Sequence, residues 1–278
     1  MIFSPLQECR LENLTDANFE GCELIRILPK LWVPNLGNLN LSYCKNFVKL
    51  PKLWAPNLED LKLSYCENLV EIDECFGYLE KLRMWYLGGC KKLQFLPSQL
   101  RLKSLHSFYL IDCSRLEKLP DFHQEMECLE GLYLSGSGIR EVPSSIEHLT
   151  KLNKLFVHNC KNLRDLPDGI CKLQRLRELW TSTTKFRQTC NSFDSSSEGY
   201  ELDLLMKPDY FPALEILELF ETNIVTIPKS ISRFPNLNCV FITNCKLLRE
   251  IQGLPNQNCM LLDTQSASGL LNQVSLFL

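Results

Sequence analysis

The sequence predicts a repeat solenoid of the α/β class, in which short strands from successive coils form one parallel sheet. Three observations predict it: a nine-residue frame, LxxLxLxxC, recurs along the 278 residues, its best copies are 22 residues apart, and a Leu-Pro or similar pair follows the cysteine. A fixed period of roughly 20–50 residues is typical of solenoids, whose coils bury their apolar edges against one another. With 45% hydrophobic and 23% charged residues, the composition allows a large core.

The frame can be followed through about eleven coils. The two best copies read Leu36, Leu39, Leu41, Cys44 and Leu58, Leu61, Leu63, Cys66. The last copy is degenerate and reads Cys259, Leu262, Thr264, Ala267. Copies with Ser137 or Thr222 in place of the cysteine are one residue shorter up to the next apolar position, so we expect a different turn there.

Each frame predicts a short strand, because its second and third apolar residues alternate with outward-facing residues. One coil cannot bury this apolar edge alone, so the strands stack into a parallel sheet over a continuous core. Prolines after the second apolar pair do not continue a helix, so the outer side should be irregular or 3₁₀-like. We therefore predict a leucine-rich-repeat solenoid, a horseshoe with the parallel sheet on the concave face and irregular or 3₁₀ segments on the convex face.

The domain organisation follows from the same period. Residues 1–13 form a poorly capped N-terminal lead-in, and residues 14–278 form a single repeat domain. The period breaks after Thr184, and the polar, turn-rich stretch within residues 185–213 predicts an insertion loop. Solenoids need polar capping repeats, and neither end has one, so we expect the chain to be a fragment or part of a larger assembly.

Small polar or thiol residues end the frame and predict a ladder inside the solenoid. This ladder consists of Cys22, Cys44, Cys66, Cys90, Cys113, Ser137, Cys160, Thr184, Thr222 and Cys245. A small donor at this place can bond backbone carbonyls of the turn that leaves the strand. Neighbouring rungs would be close enough for disulfides, but we favour free structural thiols, because buried cysteine behaves as a small hydrophobe and cytosolic thiols stay reduced.

Nothing in the sequence indicates catalysis, a metal or a cofactor. The ladder spacing of 22–24 residues lacks the close CxxC or HxxxH pairs of zinc sites, and the four histidines at positions 106, 123, 148 and 158 do not cluster. No GxSxG, P-loop or GxGxxG motif is present. We therefore expect a protein that is not an enzyme, with no catalytic residues, metal or cofactor.

The residue between the second and third apolar positions should face the concave side, and five consecutive coils carry an aromatic residue there. With flanking outward positions, the predicted partner-binding residues are Tyr86, Tyr109, Ile111, Tyr133, Phe156, His158, Trp180, Phe220 and Phe241. Aromatics also suit strands and pair across them, which explains part of the pattern. We favour partner binding, because an exposed aromatic stripe is costly unless covered and tyrosine and tryptophan are enriched at binding hot spots.

Charge and hydropathy restrict the partners and the compartment. A net charge of −3 with interspersed acids and bases argues against nucleic-acid binding, which needs a concentrated basic face. The N-terminal segment lacks the features of a secretory signal, and no stretch approaches the ~20 apolar residues of a membrane-spanning helix. We therefore expect a cytoplasmic protein, with the nucleus as a second location, that has a protein partner and no membrane or nucleic-acid partner.

Several segments resemble one known family. These segments are residues 19–22, 56–59, 63–71, 134–146 and 159–163, of which the run Leu134-Ser-Gly-Ser-Gly-Ile-Arg-Glu-Val-Pro-Ser-Ser-Ile146 is the most specific. They are similar to the repeats of plant disease resistance proteins that combine a TIR domain, a nucleotide-binding portion and leucine-rich repeats. The resemblance covers roughly residues 11–267. It implies that the repeats recognise a pathogen effector and restrain a nucleotide switch, although the sequence contains no TIR or nucleotide-binding portion.

The sequence therefore supports one functional hypothesis and leaves alternatives open. The hypothesis is a non-enzymatic recognition module in plant innate immunity that binds a pathogen effector or a guarded host protein through the concave face and takes part in defence signalling. The nucleotide-binding portion of a receptor is a further candidate partner. The alternative is a stand-alone repeat scaffold, decoy or enzyme inhibitor that binds a host protein without signalling.

Overall fold

The computed structural model of the chain describes residues 9–187, 205, 207–254 and 260–263. Its strands are Cys9–Arg10 (β1), Asp16–Asn18 (β2), Leu31–Trp32 (β3), Asn38–Asn40 (β4), Lys49–Leu50 (β5), Leu53–Trp54 (β6), Asp60–Lys62 (β7), Glu71–Ile72 (β8), Met84–Tyr86 (β9), Gln99–Leu100 (β10), Ser107–Tyr109 (β11), Asp121–Phe122 (β12), Gly131–Tyr133 (β13), Lys154–Val157 (β14), Leu166–Pro167 (β15), Glu178–Thr181 (β16), Phe186–Arg187 (β17), Ile216–Phe220 (β18), Thr226–Ile227 (β19), Cys239–Thr243 (β20), Glu250–Ile251 (β21) and Met260–Asp263 (β22).

One long parallel sheet lines the solenoid. Within the described residues, eleven strands form it in the order β2-β4-β7-β9-β11-β13-β14-β16-β18-β20-β22. The remaining strands pair in parallel as short two- or three-stranded ladders, such as β1-β3-β6 and β5-β8. This confirms the predicted parallel-sheet solenoid, because each coil adds one strand to the same sheet.

The other side of several coils contains short 3₁₀ helices. They span Glu74–Tyr78 (η1), Ser144–His148 (η2), Asp168–Lys172 (η3), Pro208–Tyr210 (η4) and Lys229–Arg233 (η5). Pro143, Pro167 and Pro228 precede three of them in extended conformation, and Asp73 caps η1 by accepting a hydrogen bond from the Cys75 N–H at 3.0 Å. The predicted 3₁₀-like outer side is therefore confirmed, because proline directs the chain from extended structure into a single turn.

The core lies between the long sheet and the outer side. In the central coils the second and third apolar residues of the frame, such as Leu61 and Leu63 or Leu132 and Leu134, are wholly buried. Burial of each such side chain contributes roughly 1.5–3 kcal/mol relative to exposure. In the eighth coil the third position is Thr181, whose buried hydroxyl donates to the Thr183 carbonyl at 2.8 Å. The buried side chains form one continuous, leucine-rich core along the stacked coils.

The register of the last coil differs from the expectation. The frame assigned Leu262 to the second, inward position, but Phe241 pairs with Leu262 and Val240 pairs with Leu261. A shift of one residue exchanges the two faces of a strand. Because both Leu261 and Leu262 are apolar, the pattern alone did not distinguish the two registers. Cys259, Thr264 and Ala267 of that frame lie outside the described residues.

The edges of the predicted insertion belong to the coils. Strand β17 pairs with β15, and Leu205, Pro208 and Phe211 are buried. Only residues 188–204 and 206 of the predicted 185–213 insertion lie outside the described residues. Within the predicted lead-in, Cys9–Arg10 form β1, which pairs with β3. Residues 1–8 and 264–278 lie outside the described part.

Asparagine side chains join some successive coils just before the concave strand. Asn57 donates to the Pro34 carbonyl at 2.8 Å, and Asn236 donates to the Pro212 carbonyl at 2.7 Å. Each bond pairs a backbone oxygen of the preceding coil that has no strand partner. Within the described residues, no helix has the length and apolar character needed to cross a membrane.

Candidate functional site

Five aromatic residues form a continuous column across the concave sheet. Their Cα atoms are paired in register from Tyr86 through Tyr109, Tyr133 and Phe156 to Trp180. Ring centroids of successive members are 4.7, 4.4, 5.0 and 4.2 Å apart. All five are half-buried, because each ring covers its neighbour and keeps an outer edge in solvent. We call these five residues the aromatic column.

The first three rings of the aromatic column form a parallel stack. The Tyr86 and Tyr109 rings are inclined by 7°, and those of Tyr109 and Tyr133 by 2°. The Tyr133 ring lies over Gly131, where a Cβ atom would be only 2.6 Å from the ring. Burial raises the pKa of Tyr133 to about 12, and the adjacent Tyr109 contributes to the same shift. The Tyr133 phenol is therefore a neutral hydrogen-bonding group at physiological pH.

The column changes direction between Tyr133 and Phe156. Their rings meet edge to face at 89°, whereas Phe156 and Trp180 stack again at 9°. The Trp180 Nε1 atom is occluded and has no hydrogen-bond partner in the described part of the chain. The column thus consists of a polar-edged tyrosine stack and an apolar Phe156–Trp180 pair.

His158 joins the apolar pair to the coil beyond the broken period. Its ring centroid is 5.4 Å from that of Trp180 and 5.6 Å from that of Phe220, and Nδ1 is 3.0 Å from the Ser135 hydroxyl. Burial lowers the pKa of His158, with a smaller opposing effect of Asp112. The imidazole is therefore neutral at pH 7 and completes an aromatic cluster.

The remaining predicted partner-binding residues lie at the border of the aromatic column. Ile111 is 36% exposed beside the tyrosine stack, whereas Phe220 and Phe241 are half-buried on β18 and β20. Glu218 separates Trp180 from Phe241 in the register, so Phe241 is not part of the continuous column. The structure therefore brings all nine predicted residues to one face, and their role in binding remains a prediction.

The ladder residues occupy the interior at the end of each concave strand. The thiols of Cys44, Cys66, Cys90, Cys113, Cys160 and Cys245 donate to carbonyls of the preceding coil at 3.0–3.4 Å. The Ser137 and Thr222 hydroxyls lie 3.5 and 3.1 Å from the sulfurs of Cys160 and Cys245, and Thr184 is buried. Cys22, in the first coil, is exposed and differs in this respect from the other predicted rungs.

Burial makes the central thiols of the ladder, those of Cys66, Cys90 and Cys113, poor nucleophiles. It raises the pKa of Cys66 and of Cys113 to about 12, and it raises the pKa of Cys90 well above its ordinary value. A thiol must ionise to attack an electrophile or to bind a metal. The Cys66, Cys90 and Cys113 thiols therefore remain protonated donors, which suits a structural ladder. Among the described residues, no group of three His, Cys, Asp or Glu side chains is placed to hold a metal ion.

The residue before most rungs adopts a left-handed conformation that the sequence analysis did not identify. Positive φ angles occur at Gly21, Tyr43, Tyr65, Gly89, Asp112, Gly136, Asn159, Glu221 and Asn244. The glycine, asparagine or aspartate at many of these positions could have indicated the left-handed turn, because these residues adopt positive φ most readily. Tyr43 and Tyr65 stack at 4.9 Å and are 46% and 47% exposed, so this turn adds aromatic surface beside the concave face.

A second aromatic pair was also missed. Trp32 and Trp54 stack at 4.9 Å, and the Arg10 guanidinium lies 5.4 Å from the Trp32 ring centroid. They occupy β3 and β6, outside the concave sheet, at equivalent positions 22 residues apart.

An open cleft of about 660 Å³ lies between the eighth and ninth coils, with Thr183, Lys185 and Val225 in its lining.

Comparison with known proteins supports the repeat fold. Residues 68–195 match a family described as a leucine-rich repeat region. The functional domain of InlJ from Listeria monocytogenes, which includes a cysteine ladder, has a TM-score of 0.54 and 18% identity over 90% of this chain and 53% of its own. The chain therefore spans about half the length of that structure. The sequence has no match among curated proteins.

Two further solved structures are similar at lower TM-scores. A leucine-rich-repeat protein from Leptospira interrogans has a TM-score of 0.37 and 16% identity over 90% of this chain and 85% of its own. The leucine-rich-repeat ectodomain of the plant membrane receptor kinase GASSHO1/SCHENGEN3 from Arabidopsis thaliana, in complex with CASPARIAN STRIP INTEGRITY FACTOR 2, has a TM-score of 0.40 and 14% identity over 93% of this chain and 38% of its own.

The repeat frame, the parallel sheet and the match over residues 68–195 agree with one another. The InlJ domain adds a structural likeness that extends over most of the chain. The chain therefore contains a leucine-rich-repeat region and folds as a leucine-rich-repeat solenoid.

Proposed function

We propose that the chain is a protein-recognition module of plant innate immunity that binds a pathogen effector or a guarded host protein through its concave face. Solenoids of this kind present an extended concave surface suited to protein partners. The observation that carries the proposal is the aromatic column, whose five rings lie on the concave face rather than in the core. Binding, and not catalysis, is the activity that such a surface supports.

The geometry of the aromatic column suits an interface hot spot. Tyrosine and tryptophan bring large contact areas with few rotatable bonds, and they are enriched where binding energy concentrates. The rings are already held by stacking at 4.2–5.0 Å, so little side-chain freedom remains to be lost on binding. The immune setting rests on the resemblance of segments such as residues 134–146 to plant TIR-type resistance proteins.

Alanine substitution of the column separates binding from folding. We expect the double variant Tyr109→Ala/Tyr133→Ala to lose a partner that the wild-type chain retains from extract of infected plant tissue, because the stack is the centre of the proposed interface. The variant should still fold, with a lowered midpoint in the circular dichroism melt, since the three ring contacts that it removes contribute ~0.2–1 kcal/mol each. Trp180→Ala tests the apolar half of the column in the same assay.

Tyr43→Ala is the matched control, because Tyr43 is also a stacked, half-exposed tyrosine but lies outside the aromatic column. It should retain the partner. Identification of the retained protein as an effector or a guarded host protein supports the proposal. Equal loss of binding and folding in the double variant, or retention of an unrelated enzyme alone, would show it to be wrong.

A further inference from the structure

Glu218 lies among aromatic side chains on the concave face. Strand β18 places it between Trp180 on β16 and Phe241 on β20, which are its partners in the parallel register. Phe220 follows two residues later on the same face of the strand. The His158 ring contacts both Trp180 and Phe220, so these rings are held close together. The Glu218 carboxylate is thus flanked by aromatic residues along its strand and across both neighbouring strands.

Other acidic side chains near Glu218 have basic partners. Glu178 lies 2.8 Å from the Lys154 ammonium, and Glu215 lies 3.4 Å from the Arg177 guanidinium. Each pair joins two adjacent coils at the edge of the concave sheet. Lys154 and Arg177 are therefore already paired. Glu218, by contrast, lies on the concave sheet and has no basic partner among the described residues.

The described part of the chain supplies no counter-charge to Glu218. No lysine, arginine or histidine nitrogen there lies within the 4.0 Å ion-pair distance of its carboxylate, and its hydrogen bond comes from the Thr243 side chain. The stretches outside the described residues, 1–8, 188–204, 206, 255–259 and 264–278, contain no lysine, arginine or histidine. Neither the described residues nor these stretches therefore provide a basic side chain that pairs with Glu218.

The environment of Glu218 favours such a group. Burial raises the pKa of Glu218, although the hydrogen bond from Thr243 opposes the shift. A partly desolvated carboxylate without a counter-charge is destabilising, and a cation relieves it. Aromatic faces attract cations by the quadrupole of the ring, and arginine also stacks flat on them. The Glu218 carboxylate and the rings that flank it therefore both favour binding of a positively charged group.

We propose that Glu218, Trp180, Phe220 and Phe241 form a subsite that receives an arginine side chain of the protein partner. This proposal rests on the proposed function, because the subsite adjoins the aromatic column and would be covered with it. The guanidinium donates hydrogen bonds to the Glu218 carboxylate while its flat face lies against a ring. The tyrosine stack then supplies contact area, and the subsite supplies selectivity for a basic residue.

The subsite is testable without the partner. N-acetyl-arginine amide is titrated into the full chain at low ionic strength, and the Trp180 Nε1–H and Glu218 carboxyl signals are followed by NMR. We expect saturable shifts of both signals. N-acetyl-citrulline amide, which has the same shape without the charge, should cause none, and N-acetyl-lysine amide should bind more weakly because its ammonium neither stacks nor donates in a fork.

Two variants and one matched control complete the test. Glu218→Gln should weaken binding of the arginine probe about fivefold or more, since an ion pair and a charge-assisted hydrogen bond are lost. Phe241→Leu should weaken it less, because an apolar side chain remains without the ring. Glu221→Gln removes the same charge from an exposed turn on the same coil and should leave probe binding within about twofold.

Equal shifts with the citrulline probe, or equal weakening by Glu218→Gln and Glu221→Gln, would overturn the subsite. Either result could be obtained while the Tyr109→Ala/Tyr133→Ala variant still fails to bind its partner. Failure of the subsite and failure of the recognition function are therefore distinguishable.

Discussion

The ladder makes a quantitative prediction at Cys66. Its side chain is wholly buried, and its thiol donates to the Leu41 carbonyl at 3.0 Å. The same carbonyl also accepts from the Cys44 backbone N–H at 3.2 Å. Cys66→Ala therefore removes one of two hydrogen bonds and one buried sulfur atom, but it does not leave the carbonyl without a partner.

The expected cost of Cys66→Ala follows from these two losses. A typical hydrogen bond contributes ~0.5–1.5 kcal/mol net, and a thiol is a weak donor, so the lower part of that range applies. A cavity of about methyl size costs ~1 kcal/mol more. The free energy of unfolding should fall by about 1–2 kcal/mol. Cys66→Ser retains a donor and should cost less, and Cys22→Ala, at an exposed position, should cost less than ~0.5 kcal/mol.

Urea unfolding at pH 7, monitored by circular dichroism under reducing conditions, measures the order of stability of these variants. We expect the midpoints to fall from wild type and Cys22→Ala, through Cys66→Ser, to Cys66→Ala. The structural role of the ladder is refuted if Cys66→Ala is no less stable than Cys22→Ala, or if Cys66→Ser is less stable than Cys66→Ala.

Two further predictions concern pH and the tyrosine stack. Because burial raises the pKa of Cys113 from 9.0 to about 12, its contribution to stability is complete below pH 9 and is lost as pH rises towards 12. The urea midpoint should fall over that range, and it should fall less in Cys113→Ala. An equal slope in both proteins would show that ionisation of Cys113 does not cause the loss of stability. Gly131→Ala places a methyl group 2.6 Å from the Tyr133 ring. It should tilt that ring off Tyr109 and change the near-ultraviolet circular dichroism. Stability should change by less than ~1 kcal/mol, because the lost stacking offsets the reduced entropy of the unfolded chain. An unchanged spectrum would speak against the close approach of the Tyr133 ring to Gly131.

The fold was predictable because one local rule is repeated. Leu39 and Leu41, or Leu61 and Leu63, alternate with polar residues in their coils, and only stacking buries them. The same frame placed Tyr86 to Trp180 in one outward column. Prediction failed where the frame is ambiguous, as at Leu261 and Leu262, whose register depends on pairing with β20. No local pattern distinguishes two adjacent leucines.

The candidate site was predictable in its members but not in its geometry. The Tyr133 ring lies over Gly131, and the Phe156 ring meets the Tyr133 ring edge to face. Both arrangements depend on side-chain packing between neighbouring coils. The exposed stack of Tyr43 and Tyr65 depends on left-handed turns before the ladder. Each contact joins residues more than 20 positions apart, except that between Gly131 and Tyr133, so it has no signature within one repeat.

The sequence by itself determined the parallel solenoid, the interior ladder and the aromatic column, because period and alternation decide which side chains turn inward. Only the tertiary structure decided how the column divides, which rung is exposed, and that Glu218 has no counter-charge from the described residues. The physical reason is that orientation, burial and pairing of a side chain are set by the coils stacked on either side of it.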